Sequence, residues 1–328
     1  QNALVVDSSA LVEQAVTDIV SSAFDSAGQR CSALRLLCVQ EEAADRLLHM
    51  LRGAVQELRL GDPRELATDI GPVIDTEAAA PIESHLRTLQ ARGRSVWRPA
   101  PDASLATSLA TSLTTSLTTQ GSFVAPAIVE LASVAELERE VFGPVLHVLR
   151  YPRDRLAQTL EQINATGYGL TQGVHTRIDE TVAQVVGAAR AGNLYVNRNI
   201  VGAVVGVQPF GGEGLSGTGP KAGGPLYLLR LLARRPAQAA GRAVAHQGVP
   251  ARPPVRGLDH DTDEARPAEG VAALRTWAQS QGMDPLAAHC DRVISESPVG
   301  GWRALPGPTG EANLYAVQAR PAVLCLAD

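Results

Sequence analysis

The stretch "ALVVDSSALVEQAVTDIVSSAFDSAGQRCSALRLLCVQ", Ala3 to Gln40, decides the fold. It opens with a short, apolar, β-branched run that reads as a buried strand. The spacing then turns helical: Leu11, Val12, Ala15, Val16, Ile19 and Val20 fall on one face, with Ser8 or Ser9 as the expected N-cap and Gly28 as the expected terminator. After Cys31, "ALRLLCVQ" is strand-like again. Strand, helix, strand at this spacing predicts α/β layers with a largely parallel sheet.

The alternation continues outward. "EEAADRLLHMLRGAVQELRL" is a helix, with Ala44, Leu47, Leu48, Leu51, Val55 and Leu58 repeating at three and four. Further helices are expected over Thr76–Arg92, Arg153–Asn164 and Asp179–Arg190, and strands at Ser95–Trp97, "FVAPAIVEL", "VLHVLRY", "GVHT" and "NLYVN". Residues 104–119, "SLATSLATSLTTSLTT", are a low-complexity repeat. Leucines four apart drift about 40° per step around a helix, and Ser and Thr are mediocre helix formers, so an expanded surface loop over 103–120 is expected. From about Arg235 the chain becomes rich in Pro, Ala, Gly and charge, as linkers are. This divides it into residues 1–235, a linker-like segment 236–270, and a region 271–328 with a helix at "VAALRTWAQSQG" and strands at "NLYAVQ" and "AVLCLAD".

With 328 residues there is room for about two domains. A net charge of −5 supplies no basic field for nucleic acid or an anionic membrane surface, so no nucleic-acid contact is expected from this segment. No run reaches the ~18 apolar residues of a membrane span. Four cysteines without a CxxC pair or a Cys/His cluster argue against a disulfide scaffold and a metal site, and favour a reducing, cytoplasmic setting. The first residues lack the features of a signal peptide, and Gln1 leads almost directly into a strand, as if the chain began within a fold.

Two stretches carry chemistry. "GEGLSG", Gly212 to Gly217, satisfies GxGxxG, but "TGPKAGGP" follows where that fingerprint needs a helix, and Pro220 stands where a P-loop has its lysine. An irregular glycine loop and an amide nest for an anion such as a carboxylate both remain open. Cys31 follows Gly28-Gln29-Arg30, a helix break that would leave it in a turn with free amides, and Arg30 and Arg35 add positive potential. It is either a nucleophile or a buried core cysteine. Cys38, inside a strand, is expected in the core.

The pattern Phe24, Gly28, Gln29, Cys31 and then a small residue resembles the active-site signature of the aldehyde dehydrogenase superfamily. Further blocks follow in that superfamily's order: "GDP" and "DIGPVID", "EREVFGPVL", "NATGYGLTQGVHT", "GNLYVNR" and "QPFGGEGLSGTG". Within it, "FDSAGQRCSALR", "PFGGEGLSGTGPKAGGPLYLLRL" and "LPGPTGEANLYAVQARPAVLCLA" are similar to the 1-pyrroline-5-carboxylate (glutamate semialdehyde) dehydrogenase module of the bifunctional proline utilization A group.

The resemblance implies an aldehyde dehydrogenase-like α/β catalytic domain, incomplete at its N-terminus and followed by a partial C-terminal extension. It implies NAD-dependent oxidation of L-glutamate γ-semialdehyde to L-glutamate, with Cys31 as nucleophile. Glu140 would meet the nicotinamide ribose and Phe142 the nicotinamide, with Gly143 and Pro144 shaping the turn. Ser32, Ser216 and Gly217 would anchor the substrate's carboxylate. Glu140 as a surface carboxylate, Phe142 as core and Ser32 as a cap are the bland alternatives. The small-molecule aldehyde would be the partner and the intact enzyme a homo-oligomer, with peripheral membrane association allowed for in its parent. FAD would belong only to an upstream proline dehydrogenase domain. The superfamily's general-base glutamate and its Rossmann half match nothing in this chain, so an inactive fragment is expected. An assembly module, or an aldehyde dehydrogenase for another substrate, are the rival readings.

Overall fold

The computed structural model describes residues 1–100, 121–234, 236, 239–244, 267–299 and 301–318. The Ser-Leu-Thr repeat, most of segment 236–270 and the strand expected at "AVLCLAD" lie outside them. The chain forms two compact units, Gln1–Gly202 with Gly212–Thr218, and Ala203–Gly211 with Gly219–Asp328.

The first unit is built on a seven-stranded sheet in the order β3-β4-β5-β2-β1-β7-β8. The strands are β1 (Ala3–Val6), β2 (Leu36–Gln40), β3 (Val96–Trp97), β4 (Ala127–Leu131), β5 (Val145–Tyr151), β7 (Thr171–His175) and β8 (Asn193–Val196). Only β3 runs antiparallel, at the edge; the others are parallel. A small hairpin-like pair, β6 (Tyr168–Gly169) with β9 (Glu213–Gly214), stands apart from the sheet. Successive residues of a strand face opposite sides, and every residue of β1 and β2 is buried, so both faces of the sheet are covered.

Helix α1 (Val12–Phe24) joins β1 to β2 and packs on α2 (Glu41–Gln56). Its buried stripe is Val12, Ala15, Val16, Ile19 and Ala23. Leu11, expected on that stripe, is exposed and serves as N-cap residue without a side-chain bond. The expected caps Ser8 and Ser9 are engaged elsewhere: Asp7 accepts from the Ser9 amide (2.8 Å) and hydroxyl (2.6 Å), and Gln40 Nε2 donates to Ser8 Oγ (3.1 Å). The helix also ends earlier than Gly28 because Ser26 and Ala27 already have left-handed backbone, at φ 56° and 53°. Helices α3 (Thr76–Ala91), α4 (Leu156–Ala165) and α5 (Asp179–Ala188) match their sequence patterns to within a turn. Cys38 lies fully buried in β2, where burial pushes its thiol up to about 12.

The second unit holds α6 (Pro267–Ser280) packed on α7 (Asp284–Glu296), and an antiparallel pair, β10 (Trp302–Leu305) with β11 (Asn313–Ala316). Gly282, at φ 68°, turns the chain between the two helices. Of these elements α7 and β10 have no counterpart in the sequence reading: Ala287 and Cys290 alone of α7 are buried, and β10 is only four residues long. No helix of the described residues is long and apolar enough to cross a membrane.

Two histidines stand against the sheet. His147 on β5 is fully buried, and its Nδ1 lies 3.0 Å from the Arg35 carbonyl, which can only accept, so Nδ1 carries the proton. Its Nε2 then accepts from His85 Nε2 of α3 at 2.8 Å. Burial drives His147 down to about 3, so it stays neutral in the fold at pH values where the unfolded chain's histidine, near 6.5, binds a proton. Stability from this group is therefore complete above about pH 6.5 and is lost as pH falls from there toward 3. The expected cost between pH 7 and 5 is about 2 kcal/mol, at roughly 1.4 kcal/mol per unit below the unfolded value. Urea unfolding at the two pH values checks it, and His147→Gln should shrink the difference by most of that amount.

Candidate active site

Cys31 sits beyond a strained turn. Ser26, Ala27 and Gly28 are left-handed in succession, at φ 56°, 53° and 64°, and the two non-glycine residues cost on the order of 1 kcal/mol or more each. Such strain persists only where surroundings over-determine it. Here Gly28 supplies the reason: a Cβ on it would lie 2.2 Å from the Gly143 carbonyl oxygen and 2.9 Å from that of Ala23. The turn presses backbone on backbone. Gln29 fixes its next residue, accepting from the Ile74 amide (2.9 Å) and donating to the Pro72 carbonyl (3.4 Å). The glutamine of the Gly-Gln-x-Cys block thus ties it to the "GPVID" block.

Asn2 grips the loop from below. Its Nδ2 donates to the carbonyls of Cys31 (2.7 Å) and Ala33 (2.9 Å), its Oδ1 accepts from the Thr171 amide (3.3 Å), and its own carbonyl accepts from the Arg35 and Leu36 amides (both 3.1 Å). The backbone of Cys31 is held while its side chain is exposed. Exposure excludes the core reading for this cysteine. Asn2 was not foreseen; its only signal was a polar residue immediately before a wholly apolar strand, where burial demands partners.

Arg35 is 1% exposed. Its Nη1 donates to the Gly143 carbonyl (3.0 Å) and Nη2 to that of Arg30 (3.2 Å), while Nε lies 3.6 Å from Glu140 Oε1 and Cζ stands 4.8 Å from the centre of the Phe142 ring. Burial lowers its pKa, and the charge of Glu140 and that of a Cys31 thiolate oppose this. Cys31, Glu140 and Phe142 are therefore brought around one buried guanidinium. Phe142 is 44% exposed rather than core. With Glu140, Gln29, Ile74 and Ile82 it lines a cleft of about 390 Å³. A half-exposed carboxylate beside an exposed ring suits a ribose diol next to a flat heteroaromatic ring, so these residues fit the nicotinamide end of a dinucleotide.

Ser32 is buried, and its carbonyl accepts from Thr171 Oγ1 at 3.3 Å. Ser216 Oγ accepts from the Gly169 amide at 3.1 Å. Both serines are thus fastened to the junction of β6 and β7, two residues apart. The amides of Ser216 and Gly217 donate to the carbonyls of Glu213 (3.0 Å) and Gly214 (3.5 Å). The glycines here serve close packing: a Cβ on Gly212 would meet Ser216 at 2.7 Å, and one on Gly214 the Gly167 carbonyl at 2.5 Å. Residues 215–226, directly after β9, are non-helical, as the sequence context required. Among the described residues no three His, Cys, Asp or Glu side chains gather as metal ligands.

Residues 1–234 match the model of the aldehyde dehydrogenase family. The chain is 56% identical over its whole length to the bifunctional protein PutA of Escherichia coli, of which it covers 24%, and 46% identical to that of Rhizobium meliloti. Over 231 residues it is 36% identical to the 1-pyrroline-5-carboxylate dehydrogenase of Geobacillus thermodenitrificans, covering 70% of this chain and 42% of that protein. It thus spans about a quarter to two fifths of these relatives. Among solved structures, a bifunctional proline utilization A protein superposes with a TM-score of 0.63 at 50% identity over 70% of this chain and 22% of that one. The 1-pyrroline-5-carboxylate dehydrogenase from Thermus with bound NAD does so at 0.60 and 34%, over 70% of this chain and 42% of that one.

The tight approach of Gly28 to Gly143 gives a direct check. Gly28→Ala combines a left-handed φ with a carbonyl oxygen inside its Cβ radius, and should lower stability by roughly 2–4 kcal/mol in urea unfolding. Gly53→Ala, at an exposed position of α2 with open space around it, should instead be neutral or stabilising by up to about 1 kcal/mol.

Proposed function

Because the chain belongs to the aldehyde dehydrogenase family, we propose that it carries the nucleophilic half of an NAD-dependent L-glutamate γ-semialdehyde dehydrogenase. The observation that carries this is the exposed Cys31 on a clamped, strained turn, sharing the Arg35 guanidinium with Glu140 and Phe142. The likeness to 1-pyrroline-5-carboxylate dehydrogenases and to a relative solved with bound NAD supports the choice of substrate and cofactor.

In this reading the Cys31 thiolate adds to the aldehyde carbon and gives a thiohemiacetal. NAD, when bound, supplies the two-electron acceptor for the hydrogen on that carbon. The resulting thioester on Cys31 is hydrolysed by water, releasing the carboxylate and regenerating the thiol. Glu140 would accept from the ribose hydroxyls of the dinucleotide and Phe142 would bear on its ring, so these two residues would hold the acceptor. Ser32, Ser216 and Gly217 receive the substrate's α-carboxylate. The Ser216 hydroxyl is suited to this because it accepts from Gly169 and keeps its proton to donate.

No residue in the described site is placed to act as general base on the water, so hydrolysis of the thioester should be slow and the chain by itself should give no sustained NADH formation from the semialdehyde. In the protein that carries this chain, Cys31→Ala should lower kcat/KM by about 10³-fold or more. Ser216→Ala should raise KM for glutamate semialdehyde several-fold while leaving an aldehyde without the α-carboxylate unaffected. Turnover that survives Cys31→Ala would remove the reading. Equal KM effects on both aldehydes would remove the assignment of Ser216.

A further inference from the structure

Arg35 is unusual in being almost wholly buried, at 1% exposure, with each end of its fork on a different segment. Its backbone is pinned on both sides: the amide donates to Asn2 (3.1 Å), and the carbonyl accepts both the amide and Nδ1 of His147 (both 3.0 Å). The direction in which the side chain leaves the strand is therefore fixed. From there Nη2 reaches the Arg30 carbonyl, immediately before Cys31, and Nη1 the Gly143 carbonyl, immediately after Phe142. The guanidinium carbon lies 4.8 Å from the centre of the Phe142 ring, and the third nitrogen lies 3.6 Å from Glu140. A planar fork with five donors can do this; an ammonium, a single point of charge, cannot reach both carbonyls and present a face to the ring.

We infer that Arg35 is a positioning residue, which locks the segment carrying Glu140 and Phe142 against the segment carrying Cys31. The inference rests on the proposed reading for its consequence, the binding of NAD, but the lock itself is a property of this chain. The Nε–Glu140 separation is just beyond hydrogen-bond length, and Nε makes no other bond, so a small inward movement of Glu140 completes the guanidinium's set of partners. Glu140 would make that movement when its exposed face is covered.

Amide hydrogen exchange of the chain tests the lock. In Arg35→Lys, the amides of Gly143 and Val145, which donate to the carbonyls of Val141 and Gly143, should exchange at least tenfold faster than in the parent while β1 and β4 keep their protection, which separates release of one segment from general unfolding. Phe142→Leu, at a half-exposed position and so safe for folding, should also speed exchange there, and Arg35→Lys/Phe142→Leu should be no faster than Arg35→Lys alone, because both act on one contact. Unchanged exchange at Gly143 and Val145 in Arg35→Lys, or additive effects of the two substitutions, would overturn the inference. In the protein that carries this chain, Arg35→Lys should raise KM for NAD about tenfold and leave KM for the aldehyde within twofold. A merely structural role would lower kcat alone, by reducing the folded fraction. If the parent protein shows no NAD-dependent activity, the proposed reading fails while the exchange result still decides the lock.

Discussion

The contact between Gly28 and the Gly143 carbonyl is the constraint on which the site depends. It leaves no room for a side chain at residue 28. Gly28 is the last of three successive left-handed residues, and this turn leads to an exposed Cys31 instead of continuing α1. The same carbonyl is the acceptor for Arg35, so the closeness of the two backbones also sets where the guanidinium lies. Gly143 is itself crowded from its other side, where a Cβ would meet Ile82 at 2.3 Å. Three elements meet at a point with no slack, and strain in the turn is held by that packing.

Sheet topology explains why these segments are neighbours. Strands β1, β2 and β5 are adjacent and parallel, with Leu36 opposite both Ala3 and His147. The residues that precede each strand consequently gather at one edge: Asn2 before β1, residues 28–35 before β2, and residues 138–144 before β5. Open α/β sheets commonly place ligands outside the carboxyl ends of their strands. In this chain the candidate site is at the opposite, amino edge. At the carboxyl edge Asp7 accepts from the hydroxyls of Ser9 and Thr176.

Much of the fold was legible because the apolar periods of α1, α2 and the central strands are strong and their lengths ordinary. What misled was local. Ser8 and Ser9 are good caps in isolation, but Gln40 and Arg177 donate to their hydroxyls and a buried Asp7 accepts from that of Ser9, so these partners won over capping propensity. Gly28 looked like a helix terminator and is a packing residue, a difference visible only once Gly143 is brought opposite it. In the site, Cys31, Glu140 and Phe142 were reached through motif resemblance, whereas Arg35 had been credited only with positive potential. Its role as a fork between two carbonyls depends on a contact between residues 108 apart in sequence. Asn2 was missed for the same reason. That no helix would directly follow the GxGxxG stretch could be read from Pro220 and its glycine neighbours, and residues 215–226 are non-helical.

The central claim is that Cys31 forms the covalent bond to substrate. Arginines at 30 and 35 make residues 31–35 a single tryptic peptide, Cys-Ser-Ala-Leu-Arg, so the adduct can be weighed directly. The protein that carries this chain would be mixed with glutamate semialdehyde and NAD, quenched in acid during turnover and digested. The account predicts an acyl thioester on the peptide that begins at Cys31, dependent on NAD. Turnover with that peptide unmodified, or with the acyl group on Cys290 or Cys325, would contradict it.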